Sequence, residues 1–117
     1  MGVLNASPRL NPQETIRWRS FASRAASRWR TSGGRLIVTD QRMFFQPNRI
    51  DAVIGGRSWE CPLSAVMEVE VIDRDRTVLA GGMRERLGIL TGDGTEIFLV
   101  NDLKTKIVEL RDLLGLS

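Results

Sequence analysis

The stretch Gly33-Gly34-Arg35-Leu36-Ile37-Val38-Thr39-Asp40-Gln41-Arg42-Met43-Phe44-Phe45-Gln46-Pro47 decides how the chain is read. Two apolar runs, Arg35 to Thr39 and Met43 to Phe45, flank the polar trio Asp40, Gln41 and Arg42. That pattern reads as a β-hairpin with a tight turn, and Pro47-Asn48 ends it. Leu36 and Val38 alternate with Ile37, so the strand is expected to be covered on both faces. Gly33 or Gly34 allows a kink or a positive φ where the strand begins. Thr39 can hold the turn through its hydroxyl. Arg42 is expected to bond exposed carbonyls or Asp40, a structural role ahead of a ligand-binding one.

Downstream the pattern stays β. Gly55-Gly56 marks a turn, and Ser58-Trp59-Glu60-Cys61 is a short strand stopped by Pro62. Val66, Val69 and Val71 lie among Glu68 and Glu70 in near-strict alternation, with one face buried and one wet. Asp73 to Arg76 is a polar turn, and Gly81-Gly82 follows. Two further runs, 86–91 and 95–100, flank Gly92-Asp93-Gly94, a strong hairpin signal. The period then changes: Leu103, Ile107, Leu110 and Leu114 fall at helical spacing, with Asn101 or Asp102 able to cap the start and Gly115 ending it. The expected architecture is six or seven short antiparallel strands and one C-terminal amphipathic helix, a small β-barrel whose open end the helix covers.

Residues 12–31 read two ways. Asn11 can cap, Pro12 suits a first helical position, and Glu14 can close a capping box. Trp18, Phe21, Ala22, Ala25 and Trp29 share a helical stripe, with Gly33 as its C-cap. Periodicity alone therefore favours a helix. Read as a strand, Ile16 and Trp18 face inward, Arg17 and Arg19 face outward, and Phe21 breaks the phase unless a bulge intervenes.

The run Gly33 to Pro47 resembles the "G-x-L-x-x-T-x-x-R-x-x-F" signature of GRAM domains, pleckstrin-homology-like modules with many bacterial members. Trp59 to Val66 is similar to the strand and short turn that follow in that family, and Thr91 to Phe98 to its last hairpin. Leu10-Asn11-Pro12-Gln13-Glu14 resembles the family's "L-x-P-G-E" opening, with Gln13 where glycine is usual. The resemblance spans roughly residues 10–115. It implies a pleckstrin-homology-like barrel capped by a helix, with residues 14–31 forming the first strand and the start of a long hairpin. It also implies a non-catalytic binding module. On this reading residues 1–12 are a flexible arm and 13–117 a single GRAM-like domain.

Composition narrows the function. The chain has 117 residues, 42% of them hydrophobic, enough for one domain with its own core. It has no histidine and one cysteine, which removes histidine-dependent triads, most zinc sites and any internal disulfide. Cys61, between Glu60 and Pro62, is expected to be a buried, inert thiol. No metal-loop spacing or phosphate-binding glycine loop is present, so neither cofactor nor enzymatic activity is expected. No apolar run is long enough to span a bilayer, and the first residues lack a secretory pattern. The chain reads as cytoplasmic, with peripheral attachment to the inner membrane face as an option.

Charge is uneven: residues 1–49 carry +7 and residues 50–117 carry −4. Fifteen of the 17 basic residues are arginine, for which the coding bias of a GC-rich genome is the simplest source. Phosphate or carboxylate recognition needs converging cations. The candidates are Arg17, Arg19, Arg28 and Arg30, together with Trp29 and, less directly, Arg24. A solvated arginine face with no ligand is the simpler reading. Trp18 and Phe21 are expected in the core and Trp29 at the surface. The favoured ligand is a protein segment, taken up along an open strand edge. An anionic membrane surface is the alternative, a homodimer through the same edge is compatible, and no nucleic acid is expected.

Overall fold

In the computed structural model the described residues are 9–27, 30–49, 57–74 and 84–116. The expected turns at Gly55-Gly56 and Gly81-Gly82 lie outside them, as do Arg28, Trp29, Asp75 and Arg76. The strands are β1 (Ile16–Ser27), β2 (Arg30–Thr39), β3 (Arg42–Pro47), β4 (Trp59–Pro62), β5 (Glu68–Ile72), β6 (Arg86–Thr91) and β7 (Gly94–Leu99). A single 3-10 turn, Leu63–Ala65, follows β4, and helix α1 (Leu103–Leu113) follows β7. The strands form one antiparallel sheet in the order β4-β3-β2-β1-β7-β6-β5. Mainly antiparallel β structure with one C-terminal helix is thus the fold. The sheet does not close: among the described residues β4 and β5 end it and are not paired with each other, which corrects the expectation of a barrel. No helix among the described residues is long and apolar enough to cross a membrane.

Residues 16–27 are strand rather than helix, against their apolar periodicity. Tertiary pairing overrides it: β1 is hydrogen-bonded to β2 along most of its length and to β7 at Ser23 and Arg24. Its alternation puts Ser20 and Ala22 inside and Phe21 outside, 71% exposed, which corrects the core assignment of Phe21. The register shifts fall between Ile16 and Trp18 and between Ala25 and Ser27, not at Phe21, so no phase break is needed there. Trp18 does pack against the core, as expected.

The core is built where inward residues of the two ends of the sheet meet. Leu36, Val38, Met43 and Phe45 from the β2–β3 hairpin meet Val69, Leu87, Ile89 and Phe98 from β5–β7. The Phe98 ring lies 5.6 Å from Phe45 and 5.8 Å from Trp59 between ring centres. Ile37 and Phe44, on the opposite face, are also buried, so this part of the hairpin is covered on both sides. Gly34 is required by close approach, not by positive φ: a Cβ there would lie 2.2 Å from the Gln46 carbonyl oxygen.

Helix α1 presses Leu110, wholly buried, and its neighbours Leu103, Ile107 and Leu113 on the core. Lys106 Nζ donates to Ser20 Oγ at 2.8 Å, and Trp18 Nε1 donates to Glu109 Oε1 at 3.1 Å. Arg111 pairs with Glu68 and donates to the Val69 carbonyl at 2.8 Å. The helix thereby fastens β1 to β5. Asp102 stands at its start, with φ 53°, but its side chain makes no capping bond. Gly115, φ 71°, ends it: its own N–H reaches Asp112 O, and Leu116 N–H reaches Arg111 O.

The hairpin turn is held by a buried ion pair. Thr39 Oγ1 accepts from the backbone N–H of Gln41 and Arg42 at 3.0 and 3.1 Å, as a turn hydroxyl should. It donates to Glu14 Oε2 at 2.6 Å. Arg42 grips the same carboxylate through Nε at 2.9 Å and Nη2 at 3.2 Å, and its Nη2 also donates to the Arg9 carbonyl at 2.7 Å. Of the two expected partners of Arg42, the carbonyl is the one bonded, that of Arg9; Asp40 Oδ1 accepts from Thr15 N–H instead. Arg9 and Asn11, within the expected arm, are therefore bonded to the domain. Asn11 N–H donates to Glu14 Oε1 at 2.8 Å, and the turn closes with Glu14 N–H on Asn11 O. Gln13 occupies its left-handed position, φ 63°. That position explains why a glycine would suit it.

Two outcomes follow. Gln13→Gly is expected to raise stability by about 0.5 kcal/mol, read as a rise of about 3 °C in melting temperature. Arg42 beside Glu14 holds that carboxyl down at about 2, against the opposing effect of burial. Because the folded-state value lies below the ordinary 4.5, its stabilisation is complete above that range and is lost as pH falls through it towards 2. Denaturant titrations at pH 7 and near pH 2.5 are expected to show about 2 kcal/mol lost through this group. In Glu14→Gln that portion of the acid dependence disappears, with neutral-pH stability lower by about 2–4 kcal/mol.

Candidate functional site

The uneven ends of the sheet create three surface features. The first is a cleft of about 400 Å³ at the mouth between β1, β2 and β7, lined by Arg24, Ser32, Arg57, Thr95 and Glu96. Alternation turns Arg24 inward, opposite Phe98 on one side and Ser32 on the other. Its Nε donates to Glu96 Oε1 at 2.8 Å and its Nη1 to the Arg57 carbonyl at 3.3 Å. Ser32 Oγ, in a residue only 2% exposed, has no hydrogen-bond partner among the described residues. A buried hydroxyl so placed is costly unless something bonds it.

The second is a groove of about 430 Å³ beside β4, bounded by Trp59, Cys61, Pro62, Ala65 and Met67 and by the Gly92–Gly94 turn. Met67 is 61% exposed at its rim. Glu60 and Asp93 give its border negative charge. Cys61 is buried, and desolvation, reinforced by Glu96 and Glu60, pushes its thiol up to about 11. A protonated thiol at neutral pH is a weak nucleophile. The third feature is the outward face of β1 and β2 around Phe21.

The arginines singled out in the sequence are not one cluster. Arg17 and Arg19 are exposed near the start of β1, while Arg30 is exposed at the start of β2, beside the far end of β1. Eight residues of strand, roughly 26 Å, separate Arg19 from Ser27, the partner of Arg30. Arg28 and Trp29 lie outside the described residues. Arg24 does enter a cleft, in company with Arg57 and Ser32, neither of which carried a signal: each is a single polar residue in a turn or at a strand end. Met67 shares the alternation of Val69 and Val71, so the sequence pattern pointed it inward and gave no sign of its exposure.

No known family model matches the chain, and no characterised protein matches it in sequence. Among solved structures it is similar to the C-terminal domain of an unknown protein from Leishmania infantum, with a TM-score of 0.61 at 13% identity, over 88% of this chain and 86% of that one. At that identity the likeness concerns the fold alone.

The Cys61 thiol is expected to resist iodoacetamide in the folded protein at neutral pH and to react fully after unfolding in guanidinium; mass spectrometry of the alkylated fraction measures both.

Proposed function

We propose that this chain is a non-catalytic binding module of pleckstrin-homology-like, GRAM-like type, and that it recognises an extended protein segment. The observation that carries this reading is the open sheet. β4 and β5 are its edge strands among the described residues, and the groove of Trp59, Pro62, Ala65 and Met67 lies beside β4. An edge strand offers backbone donors and acceptors to an added strand, and the groove offers pockets for alternate side chains. The order of seven strands followed by one helix also supports the GRAM-like reading, as does the motif from Gly33 to Pro47. Segments selected from a random dodecapeptide display library are expected to protect the β4 amides from hydrogen exchange. Met67→Lys, at an exposed site, is expected to weaken them about tenfold while leaving the melting temperature unchanged. Enrichment of no segment, or protection confined to strands other than β4 and β5, would sink the reading.

A second reading is favoured by the unpartnered Ser32 hydroxyl between Arg24 and Arg57. That mouth suits an anionic headgroup, which would bring the domain to an anionic membrane surface. Co-sedimentation with phosphatidylserine-containing vesicles, falling with salt and lost in Arg57→Ala, supports it; sedimentation equal for neutral and anionic vesicles dismisses it.

A further inference from the structure

Phe21 stands at the centre of a positive, otherwise sparsely apolar face. The outward positions of the first hairpin are Arg19, Phe21 and Ser23 on β1, facing Ile37, Arg35 and Gly33 respectively on β2. None is a carboxylate. Arg35 lies directly across from Phe21, and Arg19 lies two residues, about 7 Å, along the same strand. Among the described residues neither arginine has an ion pair or side-chain hydrogen bond, nor has the exposed Arg17. Arg24, Arg42 and Arg111, by contrast, each hold a glutamate. Around the exposed ring the described residues therefore leave a cationic strip with no carboxylate paired to it.

The ring also borders a depression. Phe21, Gly33, Gly34, Leu99, Val100 and Arg84 line a hollow of about 330 Å³. Gly33 and Gly34 contribute no side chain to it, and at Gly34 none could be added without meeting the Gln46 carbonyl. Arg84 is held at its rim by a 2.7 Å bond to the Val100 carbonyl, which leaves other guanidinium donors available.

We propose that this face docks an acidic segment of a partner protein, with carboxylates on Arg19 and Arg35 and an apolar side chain in the hollow against Phe21. The spacing fits an extended chain: Arg19 and Arg35 are diagonal neighbours across β1 and β2, about 7–8 Å apart, the interval of residues two apart on a segment, and the hollow lies a further step along, beside Ser23 and Gly33. An aromatic ring flanked by arginines is the composition of binding hot spots. A membrane is the poorer occupant. Ile37 and Phe44, the other large apolar residues of this face, are already buried, so a bilayer would gain one ring and leave the hollow unfilled. This surface is distinct from the β4 groove and stands independently of it.

The test uses the full chain and a fluorescein-labelled nonapeptide of serines carrying one leucine with glutamates two and four residues to one side of it, followed by anisotropy. Saturable binding is expected. It should weaken about tenfold in Phe21→Ser and in Arg35→Ser, and by a similar factor when salt is raised to about 0.5 M. Both substitutions are at surface positions, and unchanged melting curves would show that the fold is intact. Met67→Lys should bind as the parent does, which separates this face from the groove. The proposal is overturned if the peptide fails to bind, if its lysine-for-glutamate counterpart binds equally, or if Phe21→Ser binds undiminished. It is also overturned if phosphatidylserine vesicles or a single-stranded oligonucleotide compete for Phe21 more tightly than the peptide, which would assign the face to a membrane or to nucleic acid.

Discussion

The buried carboxylate of Glu14 is the joint on which the rest of the structure depends. Its side chain is fully out of solvent, yet it stays ionised because Arg42, Thr39 and the Asn11 N–H all donate to it. A buried charge is tolerable only when its lone pairs are satisfied in this way. The cluster joins three separate pieces of sequence: the turn before β1, the β2–β3 turn and, through Arg42, the Arg9 carbonyl. Beside it, Thr15 and Asp40 exchange hydrogen bonds, N–H to side chain in one direction and N–H to carbonyl in the other. Together these contacts set where β1 begins against the end of β2. Register follows, and with register the face to which every β1 side chain points. A slip of one residue would bury Phe21 and the flanking arginines and expel Ala22.

From that joint the architecture grows in two directions. One way, β2, β3 and β4 extend the sheet and bring Phe45 and Trp59 against Phe98. The other way, β1 passes to β7, and β6 and β5 complete the sheet. The two ends are not joined by strand pairing among the described residues; α1 instead ties β5 back to β1, through Trp18–Glu109, Lys106–Ser20 and Arg111–Glu68. Fastening by a helix leaves β4 and β5 as the edge strands of the sheet among the described residues. The groove beside β4 and the cleft at the Arg24 end are consequences of that incomplete closure. The functional readings therefore rest on what the sheet leaves open rather than on a catalytic constellation.

Much of the fold was legible in the chain. Asp40-Gln41, Gly92-Asp93 and the spacing of Leu103, Ile107 and Leu110 each declare their element locally, because turn chemistry and amphipathic period act within a few residues. The motif around Thr39 and Arg42 announced its turn, and the hydroxyl does what its position suggested. Even the misleading helix signal at Asn11–Glu14 has a physical basis. The Glu14 side chain does bond back to the Asn11 N–H, as in a capping box, but it closes a turn before a strand.

What the sequence by itself determined, then, is the number and kind of elements after residue 33, the turns that join them, and the excess of arginine in the first half. For residues 16–27 the resemblance implied a strand and the periodicity a helix, and tertiary pairing selected the strand; tertiary structure alone decided that Phe21 faces outward, and that Arg24 meets Ser32 and Arg57 while Arg19 and Arg30 lie far apart. The reason is the range of the forces involved. Local propensity could accommodate either a helix or a strand at β1, and only hydrogen bonds to its hairpin neighbour β2 and to β7, far along the chain, select between them. Once that choice is made, the two-residue alternation of a strand replaces the helical stripe and sorts the same side chains into a different inside and outside.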